Sequence, residues 1–190
     1  MRSRFAPPLR HLVNQVYPAG LNVFPLATPL EGYRMRLEWQ SSKALVFGTF
    51  EPEVAHLLLQ MIHPNWVVLD VGAHIGHFAL LLAKLVGPGG KVIAFEPCPE
   101  NFRTLEENVR MNDCRNVALK NRAVAATTGV MNLRSNDTNQ LIFTASLADR
   151  QPMIDVETVS LDDYSFRLQE QIRFVMMDIE GAEAPALQRM

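Results

Sequence analysis

Three acidic residues in this chain follow short apolar runs, and their spacing suggests chemistry. Asp70 lies near the end of Val67–Val71, Glu96 closes Val92-Ile93-Ala94-Phe95, and Asp178 closes Phe174-Val175-Met176-Met177. A carboxylate can accept a pair of hydroxyls, hold an ammonium, or take a proton from a nucleophile. After the first acid come Gly72 and Gly76, four apart, with Ala73, His74 and Ile75 between them. Apolar run, acid, glycine turn and apolar helix read as strand, loop, helix, the opening unit of a nucleotide- or nucleoside-binding α/β fold. Ala73-His74 breaks the G-x-G-x-x-G spacing of a dinucleotide fingerprint. Gly76-His77-Phe78 stands where a phosphate-binding loop would carry Gly-Lys-Ser/Thr. The loop therefore suits a ligand that approaches backbone closely without a pyrophosphate. S-adenosylmethionine fits best. Glu96, one βα unit after the glycine loop, is placed to accept its two ribose hydroxyls.

The other candidates divide between ligand and structural roles. Asp70 either anchors the loop or reaches the ligand's ammonium through water. Asp178 and Glu180 flank a strand end, where they would position or deprotonate a hydroxyl nucleophile, or else cap a helix and face solvent. His74 and His77 are three apart but have no third ligand nearby, so no metal site is expected. Cys98 and Cys114 show neither disulfide-framework nor zinc spacing, and read as free thiols in a reducing, cytoplasmic compartment.

The elements that must position these residues follow from periodicity. Tyr33, Met35, Leu37 and Trp39 alternate with Arg34, Arg36, Glu38 and Gln40, which predicts a half-buried strand. Ser41-Ser42 would turn it into a second strand, Ala44–Phe47, giving a hairpin. Pro52 opens a helix whose apolar face is Val54, Leu57, Leu58, Met61 and Ile62. Val67–Val71 and Lys91–Glu96 are buried strands, with a helix between them stopped by Gly87-Pro88-Gly89-Gly90. Pro97 and Pro99 lead into a helix carrying Phe102, Leu105 and Val109. Further strands are expected at Val117–Leu119, Gly129–Leu133, Ile154–Thr158 and Ile172–Asp178, and a helix opens at Glu180–Glu183. Residues 134–152 read as a polar loop. Alternating strands and helices imply a mostly parallel sheet with helices on both faces, and ligands bind such sheets beyond the carboxyl ends of the strands.

Bulk properties agree with one enzyme-sized domain. The chain has 190 residues, 48% hydrophobic and 20% charged, with a formal net charge of −2. That charge gives no general pull towards nucleic acid. No apolar run approaches the ~20 residues of a membrane span. Residues 1–30 are basic and acid-free, as a transit peptide would be, but Pro7, Pro8, Pro18 and Pro25 interrupt any long amphipathic helix. They read instead as an irregular lead-in. The expected organisation is residues 1–44 as lead-in and hairpin, then a catalytic domain over 45–190.

Five segments in order resemble the FkbM family of class I methyltransferases: Gly48–Glu53, Val67–Gly76, Ala94–Pro97 (followed by Phe102, Leu105, Asn108 and Asn112), Val159–Asp163 and Met177–Glu183. The resemblance implies a Rossmann-like fold and S-adenosylmethionine-dependent methyl transfer to a hydroxyl of a sugar or secondary metabolite, a small-molecule or glycan acceptor. It implies cofactor binding by Asp70, Gly72, Ala73, His74, Gly76, Glu96 and Pro97, with Asp178 and Glu180 at the catalytic edge. His74 stands where the family usually has asparagine, and Met176 where it usually has lysine. The family's sheet continues beyond the helix at Gly181, so a C-terminally truncated domain is expected here. The strand Ile172–Asp178 would then form an exposed edge. Three outcomes are expected of such an edge: marginal stability, self-association through it, or a shortened product with impaired activity. The alternative function is a non-catalytic remnant that binds S-adenosylmethionine or a partner.

Overall fold

The computed structural model describes residues 21–23, 30–37, 43–46, 50–135, 141–142, 153–168, 170–179 and 181–187. It divides into two compact units, Met1–Pro52 and Glu53–Met190.

In the first unit, β1 (Leu21–Val23) pairs antiparallel with β2 (Met35–Leu37), Leu21 opposite Leu37. Met35 and Leu37 are buried and Arg36 is exposed, the alternation expected of a half-buried strand. The predicted hairpin is corrected in two respects. The partner of β2 is Leu21–Val23, inside the supposed irregular lead-in, and Lys43–Val46 is a helical turn, α1, rather than a strand. Lys-Ala-Leu is a run of good helix formers, and a short apolar run has no period that separates helix from strand. Trp39 to Ser42 and Phe47 lie outside the described residues.

The second unit is built on alternating strands and helices. After α2 (Pro52–Met61) come β3 (Val67–Val71), α3 (His77–Val86), β4 (Lys91–Phe95), α4 (Pro99–Met111) and β5 (Val117–Lys120). Then follow β6 (Ala123–Val124), β7 (Gly129–Ser135), β8 (Leu141–Ile142), β9 (Met153–Val159), α5 (Leu161–Arg167), β10 (Ile172–Met177) and α6 (Glu183–Leu187). The strands form two sheets. One is parallel throughout, in the order β10-β3-β4-β5; the other is mixed, in the order β6-β9-β7-β8. The polar loop expected at 134–152 contains β8 and the end of β7; its other residues lie outside the described ones, apart from the paired ladder of Arg134 and Ser135 with Ile142 and Leu141.

Alternation decides what each face of the parallel sheet buries. Leu69, Val71, Ile93 and Phe95 point to one face, where Val124, Val159, Leu161 and Ala186 complete a core. The opposite face carries Val68, Asp70, Val92 and Ala94. Helix α3 packs on β3 and β4 and is buried along nearly its whole length, from His77 through Ala83 and again at Val86. Such a helix tolerates little polarity, and its one lysine, Lys84, is exposed. Gly87, at φ +68, ends it with its N–H on the Ala83 carbonyl.

The strand order places the site. From β3 the chain proceeds one way to β4 and β5, and β10 returns on the other side of β3. That reversal is a topological switch point, where the loops beyond neighbouring strand ends diverge and leave a crevice. Asp70, Glu96 and Asp178 all lie at this rim.

Candidate cofactor site

The loop between β3 and α3 is shaped by close packing. Gly72 has φ +91, and a Cβ there would overlap the Asp178 carbonyl oxygen. Gly76 has φ +96, and a Cβ there would lie 2.6 Å from Leu105 Cδ1 on α4. The glycine spacing therefore has a structural cause: one residue lets β10 approach β3, and the other lets α4 approach the start of α3. His74, between them, is also left-handed, with φ +50. The Gly72 and Ala73 N–H groups both donate to the Phe95 carbonyl at 2.9 Å, and the Asp178 N–H donates to the Val71 carbonyl at 2.9 Å. These bonds fasten the ends of β10, β3 and β4 together.

Glu96 is held from both sides. Its Oε2 accepts the His74 N–H at 2.8 Å and its Oε1 accepts the Cys98 N–H at 2.9 Å, while the Asn101 side chain donates a third bond. Each carboxylate oxygen keeps lone pairs after these bonds. Burial still pushes Glu96 up to about 7, the three donors acting in the opposite direction. The residues behind it are equally fixed. Asn121 donates to the Glu96 carbonyl at 2.8 Å and to the Pro97 carbonyl at 3.2 Å.

Asp70 is different. It is 2% exposed, and its Oδ2 accepts no hydrogen bond from the described residues. Burial first, then the charges of Glu96 and Asp178, push it up to about 7. A buried oxygen without a partner at a sheet rim is able to accept from a hydrogen-bond donor. His74 is exposed at the rim. Crowding lowers its imidazole below the ordinary value, and the Asp178 charge acts in the other direction. Burial pushes His77 down to about 4. Asp178 is exposed beyond β10, and Glu180 lies outside the described residues. Among the described residues no group of three or more His, Cys, Asp or Glu side chains is arranged to hold a metal ion. Nor is any helix among them long and apolar enough to cross a membrane.

The structure thus brings Asp70, Gly72, Ala73, His74, Gly76, Glu96, Pro97 and the backbone of Asp178 to one rim. Four positioning residues went unassigned in the sequence. Asn101 bonds Glu96. Asn108, wholly buried, donates to the Ile75 carbonyl at 2.8 Å and so holds the glycine loop against α4. Asn121 holds the chain after Glu96. Glu183 Oε1 accepts the Ile179 N–H at 3.0 Å and the Gly181 N–H at 3.3 Å, closing the turn after Asp178. The available signal for two of them was the placement of Asn101 and Asn108 on α4, four residues before and three after Leu105 and so on its face.

The donor set fits S-adenosylmethionine. A fixed carboxylate with free lone pairs suits vicinal ribose hydroxyls, an orphan carboxylate oxygen suits an ammonium, and no lysine or arginine marks a pyrophosphate cradle on this loop.

The chain is also similar to known proteins. Among curated proteins, a 68-residue stretch is 43% identical to the protein-L-isoaspartate O-methyltransferase of Aeropyrum pernix, covering 35% of this chain and 26% of that protein. A 57-residue stretch is 40% identical to the arsenite methyltransferase of Halobacterium salinarum, covering 30% and 15%. A 47-residue stretch is 51% identical to the 31-O-demethyl-FK506 methyltransferase FkbM of Streptomyces tacrolimicus, covering 25% and 18%. The matched stretches thus span about a quarter or less of these relatives' own length. Among solved structures, TYW2 of P. horikoshii in complex with MeSAdo is 28% identical at a TM-score of 0.39, over 48% of this chain and 33% of that one. The family model described as the methyltransferase FkbM domain matches residues 70–190, starting at Asp70 in β3. The chain belongs to the FkbM methyltransferase family.

Proposed function

We propose that this chain binds S-adenosylmethionine at the β3–β4–β10 rim and directs its methyl group to a hydroxyl of a sugar or secondary metabolite. The observation that carries the cofactor reading is Glu96, buried at the end of β4 with both oxygens fixed by backbone donors and lone pairs to spare. When bound, S-adenosylmethionine supplies an electrophilic methyl group on a sulfonium sulfur. The chain's own residues bind and orient. Glu96 accepts the ribose hydroxyls, and Asp70 Oδ2 faces the ammonium. Asp178, exposed beyond β10 and tied to Val71 through its backbone, orients the acceptor hydroxyl or takes its proton. Glu180, two residues later in the sequence, is assigned the same step by the family resemblance. The relatives' names specify L-isoaspartate, arsenite and 31-O-demethyl-FK506, so acceptor choice varies among proteins that share such short stretches.

Calorimetric titration with S-adenosylhomocysteine tests the reading. Glu96→Ala is expected to weaken binding about 10- to 100-fold, the cost of hydrogen bonds to a charged group. Unchanged affinity overturns the assignment of Glu96. Transfer of labelled methyl to a panel of glycosides and hydroxylated metabolites, lost in Asp178→Asn, tests the reaction. Binding without turnover over that panel favours the non-catalytic alternative.

Two further readings rest on the fold. Among the described residues β10 is an edge strand, and a groove of about 410 Å³ lined by Leu69, Leu161, Ile172, Phe174 and Val175 runs beside it. A second copy pairing antiparallel at that edge would bury both. A concentration-independent monomer mass by light scattering overturns this. The two buried free cysteines suit a reducing, cytoplasmic setting.

A further inference from the structure

We propose that Asp70 holds a proton in the ligand-free protein and gives it up when the nucleoside cofactor binds, so that binding at this site is coupled to proton release. The inference rests on the cofactor reading above and goes beyond it, because it concerns a carboxyl whose Oδ2 no hydrogen bond among the described residues fixes in its charged form.

The geometry comes from strand register. Asp70 lies opposite Ala94 on β4 and opposite Met176 on β10. Registered residues of neighbouring strands share a face, so the carboxyl has an apolar side chain on each flank. It is 2% exposed, and its Oδ2 accepts nothing from the described residues. Glu96, one residue past the end of β4, is also buried but has three donors on its two oxygens. Of two neighbouring buried carboxyls, the one with donors ionises first, and its charge then opposes ionisation of the other. Burial raises both to about 7, and because only Glu96 has donors that favour its charge, Asp70 is the carboxyl assigned the proton.

Among the described residues no cation acts on Asp70: Lys91, Arg173 and Lys84 lie elsewhere on the same elements, and the groups at the rim are Glu96 beyond β4, Asp178 beyond β10, His74 in the glycine loop and His77 at the start of α3. Glu96 and Asp178 are acids whose charges raise Asp70. Burial lowers His77 to about 4, so it is uncharged near neutral pH, and lowers His74 as well, with the Asp178 charge acting in the other direction. With Asp70 itself pushed up to about 7, the carboxyl takes up its proton within the physiological range. A ligand ammonium at Oδ2 reverses the balance: it favours the carboxylate, and the proton leaves to solvent.

Two measurements test this. The first needs no ligand: a carbon-13 titration of the carboxyl resonances, assigned with Asp70→Asn. The expected result is an Asp70 midpoint near neutrality; a midpoint in the ordinary aspartate range overturns the proposal. The second is calorimetric titration with S-adenosylhomocysteine in buffers of different ionisation enthalpy. Release approaching one proton is expected below the Asp70 midpoint, with affinity rising about tenfold per pH unit there and levelling above it. Asp70→Asn should bind weakly and without pH dependence over that range. Met176→Lys, which places an ammonium beside Asp70, should abolish the release and flatten the profile. Release unchanged in both variants overturns the assignment to Asp70. Absence of S-adenosylhomocysteine binding at every pH overturns the cofactor reading and the coupling together, while the ligand-free titration still decides whether Asp70 holds the proton.

Discussion

Glu96 and Asp70 are neighbours at the same sheet rim, both buried, and their environments differ in one respect. The chain after β4 turns back through Cys98 and Asn101 and meets the glycine loop at His74, so donors surround Glu96. The chain after β3 spends its first two N–H groups on the Phe95 carbonyl and leaves Asp70 facing apolar flanks. Burial pushes both up to about 7, but donors favour the charged form of Glu96 alone, which is why we assign the hydroxyls to Glu96 and the held proton to Asp70. Hydrogen-bond supply, not depth, separates the two roles.

The largest effect is expected where the comparison depends on backbone. Gly72 lets the Asp178 carbonyl close against β3, which brings the third acid near Asp70. Gly72→Ala imposes a side chain at φ +91 and an overlap with that carbonyl. It should cost on the order of 3 kcal/mol of stability or force β10 away from β3. Urea unfolding reads the first outcome and loss of the Asp178-to-Val71 amide protection in hydrogen exchange reads the second. A variant with wild-type stability and protection would show that the two strand ends are not packed as described.

A smaller effect separates the carboxyls directly. Because Asp70 is pushed up to about 7 from an ordinary value of 3.8, the folded ligand-free protein holds a proton that the unfolded chain has already lost over that interval. Stability therefore falls as pH rises through that interval and levels off above about 7. Asp70→Asn removes the charge but keeps the shape. It should be neutral near pH 3.5, below the ordinary aspartate value, and stabilising at pH 8 by about 1–3 kcal/mol, the cost of a buried polar group without a partner. Denaturant midpoints at the two pH values check it, and a stability loss at pH 8 would mean that Oδ2 has a donor after all.

The sequence revealed the rim more fully than its wiring. Val67–Val71, Lys91–Phe95 and Ile172–Met177 were legible as near-continuous apolar runs, the first two buried on both faces and the third half-buried at the sheet edge, and the acids in or after them stand out by contrast. Lys43–Val46 was misread because four residues show no period, and Leu21–Val23 because its pairing with Met35–Leu37 skips an intervening stretch. The glycines were visible, but what they pack against is not local: Gly72 meets a residue over a hundred positions later, and Gly76 meets α4. Asn101 and Asn108 looked like ordinary polar positions of an amphipathic helix. Only the fold shows that they face Glu96 and the Ile75 carbonyl.

The smallest expected effect concerns a third carboxylate wired like Glu96 but in the open. Glu183 accepts the Ile179 and Gly181 N–H groups, and these donors, with its own N–H, hold it below the usual glutamate range. A lowered value stabilises the fold above the ordinary glutamate range, and the contribution is lost as pH falls through the lowered value. Glu183→Gln should cost about 0.5–1 kcal/mol at pH 7, since the amide still accepts but carries no charge. The difference from the parent should shrink towards zero in acid, and thermal melts at pH 7 and pH 3.5 read both points. A gap that persists in acid would assign Glu183 a packing role. A gap that closes would show that donors fix a carboxylate's charge at the rim and outside it alike, with burial deciding only whether the charge can be kept without them.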